Sequence, residues 1–224
     1  MVDFEATRAK MVERYRAEGY IKTERMARAM MTVKREGFMD SQYIEYAYYD
    51  QPFPIPGDGR QTISAPYMYP IFYEALEVNT GESVLEVGTG SGYGAALAKE
   101  LVGSSGKVVS IEINEVTIEF ARSNLTRSGY GDIVLVLGDG SQGWEAEAPY
   151  DKVCITASCP AVPPPLVQQL KEPGRLIAPV GPPNSLWGQE LLLMNKERGG
   201  KTNKKSLMQV VYVPLQGKFG WVPK

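Results

Sequence analysis

The stretch Val84-Leu85-Glu86-Val87-Gly88-Thr89-Gly90-Ser91-Gly92-Tyr93 governs how the rest of the chain is read. Ser83–Val87 is a short β-prone run, glycines follow at every second position, and a helix begins near Tyr93. Glycine tolerates positive φ and lets backbone pass close to a ligand. A dinucleotide fingerprint would require G-x-G-x-x-G, with a pyrophosphate on the helix N-terminus. Here the third glycine arrives one residue early, at Gly92, and Tyr93 takes the next position.

Working outward, Lys107–Glu112, Ile133–Leu137, Lys152–Thr156 and Arg175–Val180 are further β-prone runs, separated by helical stretches near 93–101, 114–128 and 163–170. This alternation predicts crossover units and an α/β fold, with a doubly wound, mostly parallel Rossmann-like sheet of about seven strands. The last two strands come from apolar alternation at 190–194 and 207–213 and are expected to run antiparallel, with the charged stretch 195–205 as a solvated hairpin tip. Upstream, helices are expected around 4–18, 23–33 and 41–47, with Gly19 as a stop for the first. A Pro- and Gly-rich loop then runs from Gln51 to Pro66, and another helix fills most of 70–77. The whole reads as a single domain over 1–224, with N-terminal helices and a loop in 1–80 and the Rossmann-like core in 81–224.

Composition narrows the chemistry. There are no histidines, which removes Ser-His-Asp and Cys-His catalysis, imidazole bases and His-containing metal sites. Such a chain suits a reaction whose reactive group is supplied by a bound cofactor. Lys plus Arg total 24 against 26 for Asp plus Glu, so no broad basic footprint for nucleic acid is expected. No apolar run approaches the roughly 18 residues of a membrane span, and the start, Met1-Val2-Asp3-Phe4-Glu5, lacks a signal-peptide core. Cys154 and Cys159, five apart, make neither a disulfide framework nor a four-ligand zinc site, so a cytoplasmic location is expected.

The acids say what the glycine turn holds. Glu86, just before the turn, suits a cationic ligand better than a pyrophosphate. S-adenosylmethionine carries a sulfonium, an ammonium and a carboxylate, and no phosphate. Glu112 closes the second strand, twenty residues beyond Gly92, where a carboxylate can accept ribose hydroxyls. Asp139 follows the third strand in Leu137-Gly138-Asp139-Gly140. Three acids after three successive strands match the rule that open α/β sheets bind ligands at the carboxyl ends of their strands. The E-x-G-x-G-x-G arrangement resembles the first motif of Rossmann-like methyltransferases, in which an acid at the position of Asp139 commonly contacts the adenine amino group.

Further segments resemble the protein-L-isoaspartate O-methyltransferase family over roughly residues 20–217. They are Gln61-Thr62-Ile63-Ser64-Ala65-Pro66, Asp139-Gly140-Ser141-Gln142-Gly143-Trp144 with Ala148-Pro149-Tyr150-Asp151, Pro160-Ala161-Val162-Pro163 running through to Gly181, and Tyr212-Val213-Pro214-Leu215. The resemblance implies methyl transfer from S-adenosyl-L-methionine to the α-carboxyl of L-isoaspartyl residues in damaged proteins, followed by collapse of the ester to a succinimide. That chemistry needs no histidine, because a carboxylate is already ionised near neutral pH. The cofactor-binding set expected here is Thr62, Ile63, Glu86, Gly88, Thr89, Gly90, Ser91, Gly92, Glu112, Ile113, Asp139 and Gly140. Ser64 is the expected catalytic or substrate-positioning residue, its hydroxyl donating to the incoming carboxylate; as a serine before a helix it also suits an N-cap.

Three departures from the family pattern leave the substrate open, one of them Cys159, since small residues are usual just before Pro160. Tyr67 stands where the family usually has a histidine beside cofactor and substrate, and is assigned to substrate contact. Pro70 cannot lie deep inside a helix, which favours a helix start close to Pro70 and a reshaped loop. The alternatives are therefore a related methyltransferase for another peptide, small-molecule or tRNA substrate, and a non-catalytic S-adenosylmethionine-binding module. The expected partners are damaged proteins or peptides, without nucleic acid or membrane.

Overall fold

The computed structural model describes residues 2–183 and 185–221. The N-terminal layer holds α1 (Phe4–Ala17) and α2 (Glu24–Thr32), followed by 3-10 turns at Arg35–Phe38 and Ser41–Tyr46. Both helices start at side-chain caps: Asp3 accepts from the Ala6 N–H at 3.0 Å and Thr23 from the Met26 N–H at 3.2 Å. Gly19, at φ 78°, lies just past the end of α1 in the left-handed region expected of a stop. The third expected helix, 41–47, is a 3-10 turn over Ser41–Tyr46, in which only Tyr43 and Ile44 pack, partly buried, against the core, too narrow an apolar face to hold an α-helix.

The loop 51–66 contains a two-stranded antiparallel pair, β1 (Phe53–Pro54) with β2 (Thr62–Ile63). It leads into α3 (Met68–Leu76), in which Pro70 is the third residue, where a missing N–H costs no internal bond. Five strands and three helices follow: β3 (Ser83–Val87), α4 (Tyr93–Val102), β4 (Lys107–Glu112), α5 (Glu115–Arg127), β5 (Val134–Leu137), β6 (Tyr150–Ile155), α6 (Pro164–Gln168) and β7 (Leu170–Val180). The chain closes with the meander β8 (Gln189–Lys196) and β9 (Thr202–Val210).

The seven-stranded sheet has the order β5-β4-β3-β6-β7-β8-β9, parallel from β5 to β7 and antiparallel from β7 to β9. β3 lies centrally, where successive strands go first to one side and then to the other. That reversal is the place where such sheets open a crevice at their carboxyl ends. Side chains of β3 alternate between the two layers. Val84 packs with α4 and the N-terminal helices, and Leu85 and Val87 join the core on the opposite face. Burying a Val or Leu stabilises by roughly 1.5–3 kcal/mol, so a buried carboxylate between them, Glu86 at 2% exposure, runs against that gain and calls for another explanation.

Two expected boundaries moved. The helix expected to 170 stops at Gln168, because Leu170 leaves it to pair with Tyr150 at the start of β7. The last strand runs over Thr202–Val210 rather than 207–213. β9 is an edge strand, so the exposed Thr202, Asn203, Lys204 and Lys205 pair without any apolar pattern, and their charge protects the edge. Residues 211–213 leave the sheet, and Tyr212 and Val213 turn toward the cleft described next.

Candidate active site

The Gly-rich turn follows β3 directly. The N–H groups of Gly88 and Thr89 both donate to the Ile111 carbonyl, at 2.8 and 3.2 Å, which ties the turn to the neighbouring strand. Gly88 adopts φ 97° with Thr156 packed against it, so a side chain there would be strained and would also collide with the Thr156 hydroxyl. Thr156 donates to the carbonyls of both Val87 and Gly88, at 3.0 and 2.7 Å. A cleft open to solvent at its mouth lies over this turn, and its empty space of about 1060 Å³ includes that solvent.

Two carboxylates form its polar floor. Glu86 Oε2 accepts from the Ser110 hydroxyl at 2.7 Å, and Ser110 Oγ lies 2.7 Å from Thr89 Oγ1. Burial pushes the Glu86 carboxyl up to about 8; the Ser110 hydrogen bond opposes that shift and the neighbouring Glu112 adds to it. Glu112 is 6% exposed. Its Oε1 accepts from the N–H groups of Ile113 and Asn114 at 3.0 and 3.1 Å, and its Oε2 from Gly90 at 3.0 Å. Burial raises its pKa, and those three N–H groups work against the rise. A carboxylate offers about four acceptor positions, which leaves at least one for a ligand hydroxyl.

The 61–66 loop forms the opposite wall. Thr62 and Ser64 line the cleft, and the Thr62 carbonyl sits 3.8 Å from where a side chain on Gly90 would begin. Ser64 is not a helix cap. The cap position of α3 is Tyr67, which makes no side-chain capping bond. Ser64 lines the cleft together with Tyr212 instead, and its carbonyl accepts from Arg35 at 2.8 Å.

Of the residues expected from sequence, Thr62, Ser64, Glu86, Gly88, Thr89, Gly90, Ser91, Glu112, Ile113 and Gly140 line this one cleft. Four do not. Ile63 is buried in the core beneath the loop, and Gly92 starts α4 against Leu125. Tyr67 packs its ring on Tyr20, with centroids 5.6 Å apart. Asp139 accepts from Ser141 N and Oγ, Gln142 Nε2 and Lys218 N at 2.6–3.0 Å. Those donors outweigh the effect of burial and hold its pKa below the ordinary value. The carboxylate caps a turn and clamps residues near the C-terminus.

Sequence reading missed Tyr69, Tyr73 and Tyr212, which line the cleft together. The four-residue spacing of Tyr69 and Tyr73 on one helical face was the available signal; Tyr212 gave none, since it read as a strand residue. Gly94 was missed too. It lies in α4 with the Glu86 carboxylate packed so closely that any side chain there would overlap it.

The family model for Protein-L-isoaspartate(D-aspartate) O-methyltransferase matches residues 6–220. A protein-L-isoaspartate O-methyltransferase of Pyrococcus horikoshii is 46% identical over 212 residues, 95% of this chain and 94% of that protein. Protein-L-isoaspartate O-methyltransferase 2 of Archaeoglobus fulgidus is 44% identical, over 98% of this chain and 97% of its own. A solved protein-L-isoaspartate O-methyltransferase superposes with a TM-score of 0.86 at 30% identity, covering 95% of this chain and 67% of the other. A Plasmodium falciparum protein crystallised with S-adenosyl-L-homocysteine shares the fold, with a TM-score of 0.81 at 23% identity over 93% and 97% of the two chains. With its glycine turn, paired buried acids and Ser64 loop on one cleft, this chain belongs to the protein-L-isoaspartate(D-aspartate) O-methyltransferase family.

Proposed function

We propose that this protein methylates the carboxyl group of L-isoaspartyl residues in damaged proteins, with S-adenosyl-L-methionine as methyl donor. The observation that carries the reading is that the Ser64 loop and the glycine turn face each other across a single cleft, as transfer between a bound donor and a carboxylate requires. The site's chemistry fits this cofactor. Glu86 and Glu112 place two buried carboxylates beside the turn, which suits a cationic nucleoside and would repel a pyrophosphate.

Glu86 is the group to meet the cofactor's positive charge, and Glu112 with the Gly90 backbone is the group to meet its ribose. Gly88, Thr89, Ser91, Ile113 and Gly140 shape the rest of the pocket. When bound, S-adenosyl-L-methionine supplies an electrophilic methyl group on sulfur. The protein's share is to hold the acceptor carboxylate in line and keep water out. Ser64 is suited to donate its hydroxyl to that carboxylate, with Tyr212 and Tyr69 lining the same cleft. No general base is required, since the nucleophile is already ionised, and alignment alone can be worth several kcal/mol or more.

Supporting a cytoplasmic location, both cysteines are free and buried, and among the described residues no helix is long and apolar enough to cross a membrane. The loop carrying Thr62 and Ser64 and the helix α3 that follows it contribute one wall of the cleft, which favours treating 1–80 and 81–224 as one functional unit.

Incubation with methyl-labelled S-adenosyl-L-methionine and two peptides differing only in L-isoaspartate versus L-aspartate tests the reading. Base-labile ester on the isoaspartyl peptide alone is expected. Ester on neither, with cofactor binding confirmed by calorimetry, would overturn the assigned substrate.

A further inference from the structure

Arg35 is 0% exposed and has no carboxylate within ion-pair distance among the described residues. Buried cations are ordinarily paired, and an arginine cannot escape the cost by losing its proton. Its Nε donates to the Ala47 carbonyl at 2.7 Å and its Nη2 to the Ser64 carbonyl at 2.8 Å. The guanidinium carbon stands 5.2 Å from the centre of the Tyr93 ring and 5.8 Å from that of Tyr69. Nη1 has no hydrogen-bond partner. The nearby acids are otherwise engaged: Glu36 pairs with Arg8 at 3.3 Å, and Glu86 is hydrogen-bonded to Ser110 and faces the cofactor end of the cleft.

Resting on the function proposed above, we infer that Arg35 is a positioning and specificity residue for the acceptor: it anchors the Ser64 carbonyl and, from behind the wall made by Ser64 and Tyr69, supplies the positive charge that selects a carboxylate over a neutral carboxamide. The missing counterion is then the substrate itself. In the transfer an oxygen lone pair of the carboxylate forms the new O–CH3 bond as the S–CH3 bond breaks and its electron pair returns to sulfur. Both charges vanish, so the attraction to Arg35 holds the substrate and is absent from the ester. A charge of this kind strengthens ground-state binding and does not lower the chemical barrier. Its signature is a change in KM and in discrimination. Lysine could keep the charge but not the planar fork that spans two carbonyls and two aromatic faces.

The test measures binding, in the presence of S-adenosyl-L-homocysteine, of four peptides of one sequence carrying isoaspartyl, isoasparaginyl, aspartyl or asparaginyl at a single position. Wild type is expected to prefer the isoaspartyl carboxylate to its carboxamide. Arg35→Gln should shrink that preference by at least about tenfold, the scale of one charge acting across a poorly solvated wall, with cofactor affinity unchanged. Arg35→Lys should retain most of the preference while turnover falls, and it serves alone if the glutamine variant does not fold. Equal weakening of both members of a pair in Arg35→Gln, or loss of the preference in Arg35→Lys, overturns the inference. So does a wild type without carboxylate preference in either pair. A preference confined to the aspartyl pair counts against isoaspartyl repair and leaves the role of Arg35 standing.

Discussion

Glu86 Oε2 and Ser110 Oγ are joined by a 2.7 Å hydrogen bond on the floor of the cleft, and that bond only partly offsets the desolvation that carries the Glu86 carboxyl up to about 8. The free protein therefore holds this residue mostly protonated at neutral pH. A cationic ligand favours the ionised form. Affinity for S-adenosyl-L-methionine should accordingly rise, by up to about tenfold, as pH increases from 7 to 9, with proton release on binding at pH 7. Calorimetry in buffers of different ionisation enthalpy measures both. A flat profile, or uptake of a proton, would remove Glu86 from the cofactor site.

The same shift bears on stability. An acid whose folded pKa lies above its unfolded value, near 4.3 for Glu, stabilises the fold at low pH. That contribution is lost as pH rises through the folded value of about 8. Glu86→Gln should abolish this loss. The ligand-free variant should melt above wild type at pH 8.5, with the gap closing toward pH 5. Parallel melting curves across that range would contradict the burial argument.

Gly94→Ala is a sharper probe of the same carboxylate. Alanine inside a helix ordinarily gains up to about 1 kcal/mol over glycine, yet here its methyl group would overlap the Glu86 carboxylate. The expected result is a lower melting temperature and at least about tenfold weaker cofactor binding. A variant more stable than wild type with unchanged affinity would show that Glu86 has room to move.

Ser64→Ala should reduce kcat on an isoaspartyl peptide by about ten- to a hundredfold, the order of one lost charge-assisted hydrogen bond, with cofactor affinity within about twofold. Tyr67→Phe should leave turnover within about twofold, because that ring packs on Tyr20 and its residue does not line the cleft. If Tyr67→Phe proves the more damaging, the assignment of the two residues must be exchanged.

Asp139→Ala should release the clamp on the Lys218 and Phe219 backbone, whose N–H groups bond to Asp139 and to its partner Ser141. Hydrogen exchange at those two amides is expected to accelerate by at least about tenfold, with a smaller loss of cofactor affinity transmitted through Gly140. Undisturbed protection would mean that the tail is held by other contacts.

The chain itself determined the fold class, the strand that carries the glycine turn, and the positions of Glu86 and Glu112 at the carboxyl ends of β3 and β4. These are local facts: β-prone runs, glycines where φ must be positive, and acids next to strand ends are written in consecutive residues. The strand expected at 207–213 slid to Thr202–Val210 because edge pairing is backbone chemistry and leaves little trace in side-chain pattern. What tertiary structure alone decided was the company each residue keeps. It set Tyr67 against Tyr20, gave Asp139 to the C-terminal segment, and brought Tyr212 and Arg35 to the Ser64 loop from 148 residues downstream and 29 upstream. Charge and aromatic character along the chain do not say whether a side chain meets water or a wall. For Arg35 that difference turns an ordinary basic residue into a buried, uncompensated cation, and only packing reveals it.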